Sequence, residues 1–245
     1  TGLTVQGGET TYNITTEVAA DDISTSTYVQ SLGLDREGSP TGVSFGAEGE
    51  NMYVTGTGST NVDLHTTSDW ALGLTTFEGS LDVSGETTSP ADVAVASTGS
   101  RLIVTDDGSD RLLEYSMPSP HDIDNATLEA TLDVSTRVGN PEGVALGADD
   151  GELYVVNETR IYQYGLPGNV STASHQRTLD VSPPASSLTG LDFNRDGDRL
   201  LLVDAGSDSL LQYEVESDFD IDTASYTGNE LDVSAETGTA SGVSY

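Results

Sequence analysis

The chain has 245 residues, enough for one all-β domain or two ordinary ones, and no apolar run reaches the length that spans a membrane as a helix. It contains no cysteine, so no disulfide framework holds it. Its 41 acidic residues face 8 basic ones, all arginine, giving a formal charge of −33 that disfavours nucleic acid, where affinity rests on cationic contacts to phosphate. The opening, TGLTVQGGETT, has neither the basic head nor the apolar stretch of a signal peptide; either an initiator Met is gone from before Thr1 or sequence upstream is missing.

Apolar residues alternate with polar ones along the whole chain, which predicts strands, and no stretch shows a helical period. Residues 3–5, then Tyr12 and Ile14, then 27–32 read as three strands in a row. From there a longer unit recurs. An inner strand comes first, at 42–45, 92–95, 143–146, 190–193 and 242–245. A second follows a Gly turn at 52–54, 102–104, 153–155 and 200–203. The third carries Val62 and Leu64, Leu113 and Tyr115, Tyr162 and Tyr164, or Leu211 and Tyr213. The fourth ends in the phrase Leu-Asp-Val-Ser, whose leucine stands at 81, 132, 179 and 231, with a worn copy at Leu32. Four short strands between Gly/Asp/Ser turns form an antiparallel meander, and a period near 50 residues is that of propeller blades.

These spacings predict an all-β fold, a single five-bladed β-propeller of four-stranded antiparallel blades. Blade 1 takes 1–33 plus 241–245, blade 2 is 41–84, blade 3 is 91–135, blade 4 is 142–182 and blade 5 is 189–234. One C-terminal inner strand added to three N-terminal ones closes the ring and removes exposed edges; an open solenoid is the alternative. Pro-x-Gly-Val followed by a Gly turn and Leu-Tyr-Val resembles the repeats of the NHL and lactonase-like propellers. The segments Asp122-Ile123-Asp124-Asn125-Ala126, Asp220-Ile221-Asp222-Thr223-Ala224 and Asp22-Ile23-Ser24-Thr25 resemble repeats of prokaryotic surface proteins and virus spike or tail-fibre proteins. Acid excess with no lysine resembles proteins of halophilic archaea and their viruses.

Candidate chemistry is sparse. The loops entering the inner strands share a face on which enzymatic propellers usually carry their sites, and Asp92 stands there where the other blades have glycine. With Glu142 it forms a weak candidate acid–base pair of the kind five-bladed glycosidases use. Thr41 and Thr189 on that face, and the single tryptophan Trp70, are weak candidates for binding. Asp192, Asn194, Asp196 and Asp198 read like the start of a calcium loop, but Val203 stands where its bidentate glutamate belongs, so a turn is expected and no metal. His65, His121 and His175 lack ligand spacing and are expected at the surface. Asn13, Asn125, Asn157 and Asn169 begin glycosylation sequons.

The resulting expectation is a non-catalytic propeller, without cofactor, on the surface of a halophilic archaeal virion, in a spike, turret or fibre. Its expected partners are other virion or surface proteins and a host-surface glycan or S-layer glycoprotein, with no nucleic acid and no membrane insertion. The alternatives are a lectin-like adhesive module of an archaeal cell surface and a glycoside hydrolase or lactonase.

Overall fold

The computed structural model describes residues 2–7, 10–15, 22–34, 36, 39–46, 49–68, 71–147 and 149–245, with the backbone alone described over 2–7 and 10–15 and at 30, 68, 71, 73 and 74. In chain order the strands are β1 (Gly2–Gly7), β2 (Thr10–Thr15), β3 (Gln30–Gly33), β4 (Pro40–Phe45), β5 (Asn51–Gly56), β6 (Asn61–Ser68) and β7 (Ala71–Asp82). Next come β8 (Pro90–Val95), β9 (Arg101–Asp106), β10 (Arg111–Ser116), β11 (Thr127–Asp133), β12 (Gly143–Leu146), β13 (Glu152–Asn157), β14 (Arg160–Gly165) and β15 (Ser174–Asp180). The last are β16 (Leu188–Phe193), β17 (Arg199–Asp204), β18 (Ser209–Val215), β19 (Ala224–Asp232) and β20 (Gly242–Ser244). No helix among the described residues is long and apolar enough to cross a membrane.

The fold is an all-β propeller. Four blades are each one uninterrupted run of four antiparallel strands: β4–β7, β8–β11, β12–β15 and β16–β19. The expected five blades are corrected to four of this continuous kind, because the remaining sheet, ordered β20-β1-β2-β3, is the expected joining of the two end segments and not a copy of that unit. It is assembled from both end segments of the chain. Its inner strand β20 has three residues and pairs with β1 only through Thr4–Ser244, Val5–Val243 and Gln6–Gly242. Its outer strand β3 has four residues, against seven to twelve in β7, β11, β15 and β19.

Alternation places the second and third strands at the centre of each sandwich of neighbouring sheets. Leu102, Ile103 and Val104 in β9 and Leu200, Leu201, Leu202 and Val203 in β17 have no exposed surface. Their runs are continuous rather than alternating because both faces of these strands are covered. The Leu-Asp-Val-Ser phrase is a structural device. Its valines Val83, Val134, Val181 and Val233 are buried, while the aspartates Asp82, Asp133, Asp180 and Asp232 accept the amides of Ser84, Ser135, Ser182 and Ser234. The serine hydroxyl and amide hold each carboxyl below its ordinary pKa, an Asx turn that stops the outer strand and sends the chain inward.

Each sheet is also pegged into the one before it. Short 3-10 turns at Ile23–Thr25, Ile123–Asn125, Val170–Thr172 and Ile221–Thr223 bury Ile23, Ile123, Val170 and Ile221. They pack on β19, β7, β11 and β15 respectively. Buried polar side chains on the third strands meet two of these turns: Glu114 Oε2 accepts the Val170 amide at 2.7 Å, and Gln212 Oε1 accepts the Ile23 amide at 3.3 Å. In the β4–β7 blade the equivalent stretch is strand instead, and Leu72, with no exposed surface, packs with Leu34, Val43, Phe45, Met52 and Val54.

Candidate functional site: an axial funnel

The inner strands β4, β8, β12, β16 and β20 surround the axis, and at their start the backbones nearly touch. A Cβ on Gly143 would lie 2.8 Å from the Gly190 Cα, and one on Gly242 would lie 3.1 Å from the Gly42 Cα. Glycine is needed here for close approach, not for an unusual dihedral. Asp92 occupies the remaining place, and its carboxylate fills the axis: Oδ1 accepts the Val93 amide and Oδ2 the Val144 amide, both at 2.9 Å. With 2% of its surface exposed, burial raises its pKa well above the ordinary value, and those amides only partly offset this.

Beyond this constriction the inner strands diverge into a funnel of about 770 Å³. It opens on the face that carries the turns between first and second strands. Its throat is a ring of side chains that satisfy backbone amides of the next inner strand, whose axial edge has no sheet partner. Ser44 Oγ accepts the Val95 amide and Ser244 Oγ the Phe45 amide, each at 3.2 Å. Asp192 Oδ2 accepts the Tyr245 amide at 2.8 Å and the Ser244 hydroxyl at 3.3 Å, while Oδ1 takes the Phe193 amide at 2.9 Å. Asp192 keeps part of its surface open to the funnel yet has protein on every side, and burial pushes its pKa up to about 6. The rim adds Ser97, Asp150, Asn194, Arg195, Asp196 and Phe219. Asp150 links two blades, accepting the Ser97 amide at 3.0 Å and its hydroxyl at 2.9 Å.

The two weakly suggested carboxylates, Asp92 and Glu142, have different surroundings. Asp92 is sealed in the axis, and its charged neighbour is Asp192; the neighbour that raises Glu142, after burial itself, is Asp107. At 2% exposure Asp92 has no face open to a substrate. Thr41 and Thr189 are used as inter-blade ties, donating to the carbonyls of Pro90 and Ala240, each at 3.0 Å. Trp70 lies outside the described residues, as does the side chain of Asn13.

Of the calcium-like run, Asp192 faces the axis while Asn194 closes a hairpin turn, donating to Asp198 Oδ1 at 2.7 Å and accepting the Arg199 amide at 3.0 Å. Gly197, at φ +77°, makes that turn possible. Among the described residues no cluster of three or more acidic or histidine side chains could hold a metal ion. The sequons separate by exposure: Asn125 is exposed, Asn169 is half-buried beside Ser171, and Asn157 spends its amide on the Val138 carbonyl at 2.6 Å.

The histidines are not alike, and the surface expectation is corrected for His65, which is 8% exposed inside the seam between β6 and β7. His121 is half-buried at φ 64° and lies over Gly99, with Nδ1 2.7 Å from the Tyr53 hydroxyl. His175 sits edge-on to Tyr164. The sequence did not single out Ser97, Asp150, Arg195 or Tyr245. They occupy turns, or the end of an inner strand, in different blades, so no local pattern joins them.

No family model matches the sequence, and no curated protein matches it significantly. Solved structures do match in shape. A chain of a nidogen/laminin complex superposes with a TM-score of 0.61 at 14% identity, over 99% of this chain and 97% of that one. A Lactobacillus plantarum protein gives 0.57 at 13%, over 98% and 70%. A Bacteroides uniformis protein, provisionally assigned as a 6-phosphogluconolactonase, gives 0.55 at 13%, over 98% and 69%. At such identities the shared property is the β-propeller fold, with lactonase-like structures among its neighbours.

Proposed function

We propose that this propeller is a binding module and not a hydrolase, and that its funnel receives a cationic group presented by a partner. The observation that carries the reading is the lining: Asp150, Asp192 and Asp196 surround an aromatic-walled opening with one guanidinium, Arg195, against them. A lysine side chain or a diamine suits such a site, its methylenes lying on Phe219, Phe45 or Tyr245 and its ammonium among the carboxylates. The charge of −33 would steer such a partner inward.

Hydrolysis is the competing reading, kept in play by neighbours provisionally assigned as 6-phosphogluconolactonases. A phosphorylated substrate suits the funnel poorly, since one arginine would have to outweigh three carboxylates. Calorimetric titration with cadaverine and with a lysine-rich peptide tests the choice. Binding weakened several-fold by Asp196→Asn supports the proposal. Lactone or glycoside hydrolysis lost on Asp92→Asn or Glu142→Gln would replace it.

A halophilic source and a virion setting rest on composition and repeat type alone, and neither the fold nor the similar structures add to them. The same holds for virion or surface proteins and a host-surface glycan or S-layer glycoprotein as partners, and for an archaeal cell surface as the alternative setting. Detection of the chain in purified particles, or in envelope fractions of cells without provirus, would separate the two settings.

A further inference from the structure

At the seam where the chain leaves β3 and passes over β6 and β7, a cavity of about 150 Å³ is walled by Leu32, Leu34, Arg36, His65, Thr75 and Phe77. It is separate from the funnel and shares no residue with it. His65 is buried, and its Nε2 has no hydrogen-bond partner. Leaving a buried polar atom unpaired costs about 1–3 kcal/mol, so an orphan ring nitrogen beside an empty space calls for an occupant.

The surroundings define that occupant's chemistry. One half of the wall is apolar: Leu32, Leu34 and the Phe77 ring, which meets His65 edge-on at 5.7 Å. The other half is polar. The Arg36 guanidinium lies 3.9 Å above Phe77, and its Nε reaches Asp63 Oδ2 at 3.3 Å. Thr75 donates its hydroxyl to the Leu72 carbonyl and has no proton left to give. The available donors are therefore the terminal nitrogens of Arg36 and, in the protonated ring, His65 Nε2. An ammonium ligand would face a guanidinium, and inorganic phosphate would leave the apolar half unfilled. A cavity of about 150 Å³ lined by apolar side chains is the size that takes a benzene ring.

We propose that this seam binds a small monocarboxylate, between butyrate and benzoate in size, with its hydrocarbon part on Leu32, Leu34 and Phe77 and its carboxylate accepting from His65 and Arg36. The charged groups facing His65 are Asp63 on its own strand and Arg36 from the segment after β3; β7 contributes the uncharged Thr75 and Phe77. Burial holds the free imidazole toward its neutral form, Asp63 opposes this and Arg36 adds to it. A bound carboxylate supplies the countercharge, so the ring takes up a proton and binding tightens as pH falls.

The test is titration of the whole chain with sodium benzoate and butyrate, and with benzamide and butyramide, followed by the His65 ring resonances and by thermal unfolding. Carboxylates at millimolar concentration should move the His65 signals, raise its pKa and raise the melting temperature, while the amides do none of these. His65→Phe, which keeps the ring packing, and Arg36→Gln should each weaken benzoate about tenfold or more, the worth of a charge-assisted hydrogen bond. Arg36→Lys, which keeps the charge and loses the planar fork, should fall between. Unmoved His65 resonances, equal responses to acid and amide, or full affinity in folded Arg36→Gln would each overturn the proposal.

Discussion

Replacing Gly143 by alanine tests the axis most directly. The new Cβ would stand 2.8 Å from the Gly190 Cα, 2.8 Å from Val156 Cγ2 and 3.0 Å from the Thr189 carbonyl oxygen. Two of those three atoms are backbone of β16, so no rotamer change relieves the clash and the neighbouring strands must move apart. Overpacking a filled site costs about 1–3 kcal/mol, and the rigid contact places this change at the upper end. In a chain of this size each kcal/mol moves the midpoint by about 2–4 °C, so a fall of about 6–12 °C is expected in thermal unfolding followed by circular dichroism at fixed salt. Gly85→Ala is the control, since its Cβ would meet nothing within 4 Å; an exposed change of that kind stays within about 0.5 kcal/mol. If the two variants melted together, the inner strands would not be packed against one another as described, and the account of the constriction would fail.

Other consequences follow from the same contacts. Asp192, raised to about 6 against an ordinary 3.8, binds its proton more tightly folded than unfolded, so its contribution is fully present below about pH 4 and is lost as pH rises through 6. The full difference is about 3 kcal/mol as an upper figure, and Asp192→Asn should flatten that part of the pH–stability curve. Asp92→Gly, which restores the glycine of the other inner strands, should destabilise, because the buried amides of Val93 and Val144 lose their acceptor at about 1–3 kcal/mol each. Urea titration measures it, and a neutral or stabilising result would refute the plug. At −33 the fold should lose stability on dialysis from molar salt, where the Debye length is about 3 Å, to 0.1 M, where it is about 10 Å. An unchanged melting temperature would show that the acidic surface is neutralised some other way.

The strand pattern was legible because its causes are local. Alternation marks the half-covered strands, and Leu-Asp-Val-Ser encodes a buried valine, a stop and a turn within four residues. The composite sheet was legible as a pairing of the two end segments but not as a sheet unlike the others, since strand length and pairing register depend on neighbours. Asp92 was noticed as a glycine replacement and a weak catalytic candidate, but its hold on the Val93 and Val144 amides was not, because only the tertiary fold brings the second of them to it. Of the funnel only Asp192, Asn194 and Asp196 stood out, and then as a calcium-like run; Ser97, Asp150, Arg195 and Tyr245 have nothing in common in sequence except turn or strand-end positions. His65 resembled any polar residue of a third strand until Leu34 and Arg36 were folded over it.

The pegs that each sheet drives into the one before it set how the molecule can come apart. Ile123, Val170 and Ile221 belong in sequence to three successive blades, but Ile123 lies in the core shared with β5 and β6 of the blade before it, and Ile221 in that shared with β13 and β14. A single blade cut from the chain would lack the plug that completes its own core and would carry one with no socket. The smallest unit able to hold itself together is therefore a neighbouring pair. Opening should travel around the ring in one direction, from a blade whose plug is lost to the blade that plug had sealed. Hydrogen exchange in an Ile221→Ala variant should accordingly quicken in β14 and β15 before it quickens in β17, so the lesion appears in the neighbour of the blade that carries it.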